Sequence, residues 1–165
     1  MRITSSNSLL SNGRAYRCVI GKTGALIKKL EGDGSTPAGV FPLMRVLYRP
    51  DRLGFPETQL PVFALSPNDG WCDDPTHEDY NKPIKLPHDG SHERLWRDDN
   101  IYDIVVVLAY NTSPVIPFMG SAIFIHFAEP SFKSTRGCIA LKDVDLLEIL
   151  KTCSTRMVSL GKEAI

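Results

Sequence analysis

His126 and Cys138 stand twelve residues apart in IHFAEPSFKSTRGCIAL, residues 125–141, and the cysteine directly follows Gly137. A thiol becomes a useful nucleophile when a base or cation favours its thiolate and when backbone N–H groups face the oxyanion formed on attack. This stretch holds each part. His126 is a base, Arg136 a cation, and Gly137 permits a tight turn that aims the N–H groups of Gly137 and Cys138 at one point. The same residues also fit a plain glycine turn with an incidental cysteine, because the spacing by itself is unremarkable.

A working pair needs a core strand to hold the histidine and a turn to present the thiol. The β-branched run IYDIVVVLAY (101–110) predicts a central strand buried on both faces, and SAIFIHFA (121–128) predicts its neighbour, with His126 at the end of a core strand. AYRCVI (15–20) and ALIKKLEG (25–32) flank GKTG and are expected to form a hairpin. VFPLMRVLYR (40–49), LPVFAL (60–65) and RMVSL (156–160) are further strands. In LKDVDLLEILKTC, Val144 and Leu147, Leu146 and Leu150, and Ile149 and Cys153 recur at helical spacing, with acids early and Lys151 late, which predicts a helix. Residues 66–100 are polar and dense in turn formers, so a folded-over insertion is expected there rather than sheet core, and long loops of this kind are often functional.

The chain of 165 residues is 42% hydrophobic and 23% charged, which fits one globular domain over 1–165 with a substantial core. Basic and acidic residues number 19 each, so no net field favours nucleic acid or an anionic membrane surface. No apolar run is long enough for a membrane span, and the N-terminal stretch lacks the apolar segment of a signal peptide. The four cysteines, Cys18, Cys72, Cys138 and Cys153, form no CxxC zinc or redox motif. If Cys138 is a nucleophile the remaining three cannot all pair within the chain, so free thiols are expected, with Cys18 and Cys153 as small core hydrophobes. EGDGSTPAG (31–39) lacks the GK[ST] ending of a phosphate loop and is expected to be a turn before a strand.

HFAEPSFKSTRGCIAL (126–141) resembles the signature of the L,D-transpeptidase catalytic-domain family, in which a strand histidine precedes a Ser/Thr-x-Gly-Cys turn and an apolar residue. EGDGSTPAGVF (31–41), DGWCDDP (69–75), DYN (79–81), ERLW (93–96), YDIVVVLAYN (102–111) and GSAIFIH (120–126) are similar, in order, to blocks of one branch of that family. The resemblance implies a mainly β fold with one or two helices, a β-sandwich or mixed sheet with a catalytic cleft. It implies an enzyme that acts on peptidoglycan stem peptides, cleaving the bond between an L-centre and a terminal D-alanine. By the same resemblance Cys138 carries the acyl group, His126 is the base and later the acid, Gly137 and Cys138 form the oxyanion hole, and Thr135 braces the turn.

Two positions depart from the family's common pattern. Arg136 stands where many members carry histidine, and Phe127 where many carry a small polar residue. The partner that orients the imidazole must then come from elsewhere, such as a backbone carbonyl. Arg136 is expected either to lower the Cys138 pKa or to grip a substrate carboxylate. Trp71, Asp73, Tyr80 and Asn81, together with Thr135, are candidate substrate contacts; Trp71, Asp73, Tyr80 and Asn81 fit equally well as pins that hold the long loop on the sheet. His77, His88 and His92 fall near Asp73, Asp74, Asp79 and Glu93, but the resemblance calls for no metal or cofactor, and none is expected.

Hydrolysis of the same thioester would make the protein an L,D-carboxypeptidase, and a silent cell-wall-binding module is the reading outside catalysis. A papain-like protease is disfavoured because there the cysteine precedes the histidine in the chain. A peptidoglycan substrate implies the periplasm or cell envelope, in tension with the missing signal peptide. Oligomeric state is not legible.

Overall fold

The structure, a computed structural model, describes residues 1–4, 7–27 and 30–153, together with the backbone of 157–160. Its strands in chain order are β1 (Arg2–Ile3), β2 (Ser8–Ser11), β3 (Arg14–Val19), β4 (Ala25–Leu26), β5 (Thr36–Pro37), β6 (Gly39–Tyr48) and β7 (Val62–Ala64). They continue with β8 (Asp69–Cys72), β9 (Pro83–Lys85), β10 (His92–Arg94), β11 (Ile104–Leu108), β12 (Phe124–Phe127), β13 (Ile139–Leu141) and β14 (Met157–Leu160). Between β13 and β14 lies α1 (Asp143–Thr152), the single helix among the described residues. The fold is therefore mainly β.

The main sheet runs β11-β12-β13-β3-β2-β1-β14-β6-β7, and a further pairing of β6 with β11 curls it back on itself. The ten residues of β6 make this possible, since its first part pairs with β14 and its later part with β11. All five residues of β11 are buried, as its unbroken β-branched run predicts. One face turns Ile104, Val106 and Leu108 into a core with Ile125, Phe127, Ile139, Leu141 and the α1 residues Leu146, Ile149 and Leu150. The other face turns Val105 and Val107 into a second cluster with Trp71, Leu95, Tyr102, Phe124 and Cys138. Each such fully buried aliphatic side chain contributes about 1.5–3 kcal/mol, which is why the strands at the centre hold their register.

Two expectations need correction. Among the described residues the predicted hairpin of 15–20 with 25–32 does not form: β3 pairs with β2 and β13, while Ala25–Leu26 pairs with β5, and Lys28 and Lys29 lie outside the described residues. The hairpin that does form is β2–β3, closed by Asn12 and Gly13 at φ 48° and 76°. Two left-handed residues in a two-residue loop match the twist of paired strands, so the Asn-Gly turn outweighed GKTG. The stretch 66–100 is also more than loop. It carries a three-stranded antiparallel sheet, β10-β8-β9, in which Gly70, Trp71 and Cys72 are buried. Arg156 of the predicted last strand lies outside the described residues, and Met157–Leu160 forms β14 against β1 and β6.

Candidate active site

The site follows from strand register. β12 and β13 run parallel, with Ile125 opposite Ile139 and His126 opposite Ala140. Side chains alternate faces along a strand, so Ile125, Phe127, Ile139 and Leu141 go to the first core, and Phe124, His126, Cys138 and Ala140 go to the opposite side. His126 and Cys138 are thus diagonal neighbours on one face of adjacent elements. Both line a cleft of about 830 Å³, along with Thr135, Arg136, Tyr102, Glu93, Arg97 and Lys133.

The thiol is held by backbone. Cys138 is 8% exposed; its S–H donates to the Ala122 carbonyl at 3.1 Å, and its sulfur accepts from the Phe124 N–H at 3.4 Å. Gly137 has φ 143°, a conformation that L side chains rarely adopt. The Thr135 hydroxyl spans the turn, donating to the Cys138 carbonyl at 2.6 Å and accepting from the Gly137 N–H at 3.2 Å. Thr135 itself docks beside the end of β3: its N–H donates to Ile20 O, and its carbonyl accepts from Lys22 N–H, each at 3.0 Å. The expected brace is present, and it turns the Gly137 N–H into the loop.

His126 is 7% exposed, and its Nδ1 lies 2.8 Å from the Phe127 carbonyl. We assign the proton to Nδ1, since a carbonyl only accepts; Nε2 then carries the lone pair that a base needs. The orienting partner is a backbone carbonyl, which answers the question raised by Phe127. Burial drives the imidazole pKa down to about 4, with the charge of Arg97 adding to the effect and the Phe127 carbonyl opposing it. His126 is therefore neutral at ordinary pH.

Above the imidazole, the Tyr102 ring meets it edge-on at 5.2 Å, and the Tyr102 hydroxyl donates to Glu93 Oε2 at 2.5 Å. Burial raises the Glu93 carboxyl, while the Tyr102 hydrogen bond and the nearby charges of Arg97 and Arg136 lower it. Arg97 is locked to Asp99 by two hydrogen bonds of 2.9 and 2.6 Å. Behind this wall the buried Arg49 donates to the Arg97 carbonyl at 2.5 Å and lies 3.7 Å from the Trp96 ring. For the cleft, Glu93, Tyr102 and Arg97 carry no signal in the sequence beyond their place in the ERLW and YDIVVVLAYN blocks or next to them. Arg136 is exposed on the rim, and its guanidinium has no ion-pair partner among the described residues.

Trp71, Tyr80 and Asn81 are 3%, 2% and 4% exposed and do not line the cleft, so the reading of them as substrate contacts gives way to the loop-pinning one. The reason is register: Trp71 on β8 turns inward to meet the Phe124 ring edge-on at 5.1 Å. Tyr80 donates to Glu31 and accepts from the Gly120 N–H. Asn81, at φ 57°, uses its whole amide. Its Oδ1 accepts from Trp71 Nε1–H and Ala122 N–H, both at 3.0 Å, and its Nδ2 donates to the carbonyls of Tyr110 and Asn111. Because Ala122 in turn accepts the thiol proton, Asn81 fixes the Cys138 rotamer from behind.

Asn81→Leu, similar in volume, strips two donors and two carbonyls of their partners. It is expected to lower stability by at least about 3 kcal/mol in urea unfolding. A loss below about 1 kcal/mol would show that the four groups re-pair without the amide.

A buried thiol just before β13 and a buried imidazole on β12 thus face one cleft of a curled sheet. A family model for the L,D-transpeptidase catalytic domain matches residues 6–159, and the chain belongs to that family. No curated protein and no solved structure matches the chain. Among the described residues no helix is long and apolar enough to cross a membrane, and no disulfide joins the cysteines.

Proposed function

We propose that the protein is an L,D-transpeptidase: it opens the bond between the L-centre of a diamino acid and the terminal D-alanine of a peptidoglycan tetrapeptide stem. The acyl group passes through a Cys138 thioester to an amine. The observation that carries this reading is the thiol of Cys138 beside a neutral His126 whose Nδ1 is tied to the Phe127 carbonyl. The whole chain acts as one catalytic domain.

In the first half-reaction Nε2 of His126 accepts the thiol proton and the sulfur attacks the carbonyl carbon. The electron pair moves onto oxygen, for which the N–H groups of Cys138 and Gly137 are the proposed donors, that of Gly137 at the expense of its 3.2 Å bond to Thr135. Collapse breaks the C–N bond, and the departing D-alanine nitrogen takes the proton from His126. In the second half-reaction an acceptor amine gives a proton to His126 and attacks the thioester, and the thiolate leaves as thiol. With water as acceptor the same steps give an L,D-carboxypeptidase.

The test is incubation with a tetrapeptide stem, following D-alanine release and cross-linked dimer together. Equal amounts of both support transpeptidation; release without dimer supports the carboxypeptidase; no release overturns both.

Arg136 suits a substrate carboxylate, because it sits on the rim with no ion-pair partner among the described residues while the thiol already has a base within its own sheet. Arg136→Met is expected to weaken stem-peptide affinity by about 1.5–3 kcal/mol, the scale of a charge-assisted hydrogen bond. The pH dependence of Cys138 alkylation by iodoacetamide should stay unchanged. An alkaline shift of that profile with unchanged affinity would instead give Arg136 the role of thiolate stabiliser.

A further inference from the structure

Cys72, His77 and His88 lie in the 66–100 stretch, outside the cleft lining. One ligand atom from each of them falls within 4.8 Å of the other two. Cys72 is fully buried at the end of β8, and the His88 side chain is nine-tenths buried. The Nε2 of His88 is buried without a hydrogen-bond partner. The carboxylate of Asp79 stands close by, with Oδ2 3.5 Å from His88 Nε2 and 3.9 Å from His77 Nδ1. The two imidazole rings are 4.5 Å apart, and Gly90 leaves them room: a Cβ there would sit 3.0 Å from His88 and 3.2 Å from His77.

We propose that Cys72, His77 and His88, completed by the Asp79 carboxylate, bind a divalent zinc ion. A buried ring nitrogen with no partner is unfavourable as core, because each unmet polar atom costs about 1–3 kcal/mol. As a lone pair aimed at a thiol, an imidazole and a carboxylate it is a ligand. In tetrahedral zinc, with Zn–S near 2.3 Å and Zn–N near 2.0–2.1 Å, neighbouring ligand atoms stand roughly 3.3–3.7 Å apart. Side-chain rotations of about 1 Å bring the present cluster to that size. Thiolate and imidazole select zinc over magnesium or calcium, which take oxygen ligands.

The surrounding hydrogen bonds fit. His88 Nδ1 lies 3.1 Å from the Gly90 nitrogen and 3.3 Å from the Gly90 carbonyl, so either tautomer is served. A metal at Nε2 selects the tautomer in which Nδ1–H donates to the carbonyl, the usual second support of a ligating histidine. Binding replaces the Cys72 thiol proton, which is released to solvent. It also displaces present partners: the Gly90 N–H gives up His88 Nδ1, and His77 gives up either the Asp79 N–H at Nδ1 or Asp89 Oδ1 at Nε2.

Linear spacing conceals this cluster. His88 and His92 are four residues apart, the spacing of two ligands on a helix, but His92 begins β10 and its Nδ1 lies 2.8 Å from the Gly90 carbonyl instead. The ion would be structural. It would clasp the end of β8 to the approach to β10, the strand that brings Glu93 into the cleft, and it would hold whether or not Cys138 is a nucleophile.

The experiment uses the full chain carrying Cys138→Ala, so that the cleft thiol cannot compete. EDTA-treated protein is titrated with zinc chloride against a chromophoric chelator, and with cobalt(II) chloride followed by absorbance. One zinc per chain is expected, and a thiolate-to-cobalt charge-transfer band that disappears in Cys72→Ser. His77→Gln and His88→Gln should each weaken zinc binding by more than about 100-fold, beyond the loss seen for outer-shell partners. The His77 side chain is 22% exposed, so its variant is the one least able to perturb folding, which circular dichroism checks. Zinc uptake no stronger than about millimolar overturns the proposal. So does one tight zinc per chain in a folded His77→Gln variant, which would put the ion elsewhere.

Discussion

Cys138→Ala is expected to abolish thioester formation and to lower turnover of a tetrapeptide stem by roughly 10⁴-fold or more, the scale for removing a covalent nucleophile. The substitution should leave the fold intact. It removes the buried hydrogen bond from the thiol to the Ala122 carbonyl, a loss of about 1–3 kcal/mol. Cys18 and Cys153 are the controls. Cys18 is 1% exposed in the first core, and burial pushes its thiol up to about 12, so it is inert as a nucleophile. Cys153 follows α1 and packs against the same core, and Cys72 lies outside the cleft lining. Cys18→Ala and Cys153→Ala should therefore keep their turnover, while Cys72, a zinc ligand by the proposal above, is left out of the controls. A Cys138→Ala variant with wild-type turnover would remove the nucleophile from the account.

His126→Gln is expected to slow acylation by roughly 10²-fold to 10⁴-fold, the range for a positioned general base. Glutamine still has an N–H to offer the Phe127 carbonyl, so the effect should fall on the proton transfer and not on the strand. The pH dependence separates this role from packing. With the imidazole lowered to about 4, the acid limb of the wild-type acylation profile should be centred near that pH, and the limb should vanish in the variant. Stability carries the same signature. The unfolded histidine binds a proton as pH falls through about 6.5, whereas the folded one stays neutral down to about 4, so the unfolded state holds more protons in that window. Acidification from about 6.5 to 4 therefore removes stability, on the order of 3 kcal/mol from this group. His126→Gln should lack that component. An unchanged acylation profile in the variant would return His126 to core packing alone.

The parts of the fold that were legible are those where local pattern and tertiary burial agree. The β-branched residues of β11 announced a strand buried on both faces, and the helical spacing of Leu146, Ile149 and Leu150 announced α1. The β2–β3 hairpin was missed although Asn12-Gly13 signalled it, because GKTG offered a competing turn between longer apolar runs. The strands of 66–100 were illegible for another reason: they are three or four residues long and contain Gly, Pro and Lys, so pairing with one another holds them, not propensity.

At the site, the type and place of His126 and Cys138 were readable, and so was the turn at Gly137. What the residues could not tell is direction. Trp71, Tyr80 and Asn81 were recognisable as significant, but only register decides that they face inward and hold Ala122 behind the thiol. The Phe127 carbonyl leaves no mark in the sequence, since every residue has one.

The central claim is that Cys138 carries the acyl group. Wild-type protein is mixed with a tetrapeptide stem, quenched in acid, digested and measured by peptide mass spectrometry. A tripeptide-acyl mass increment is expected on the peptide that contains Cys138, with one equivalent of D-alanine released. An unmodified Cys138 peptide alongside D-alanine release, or an adduct on another residue, would contradict it.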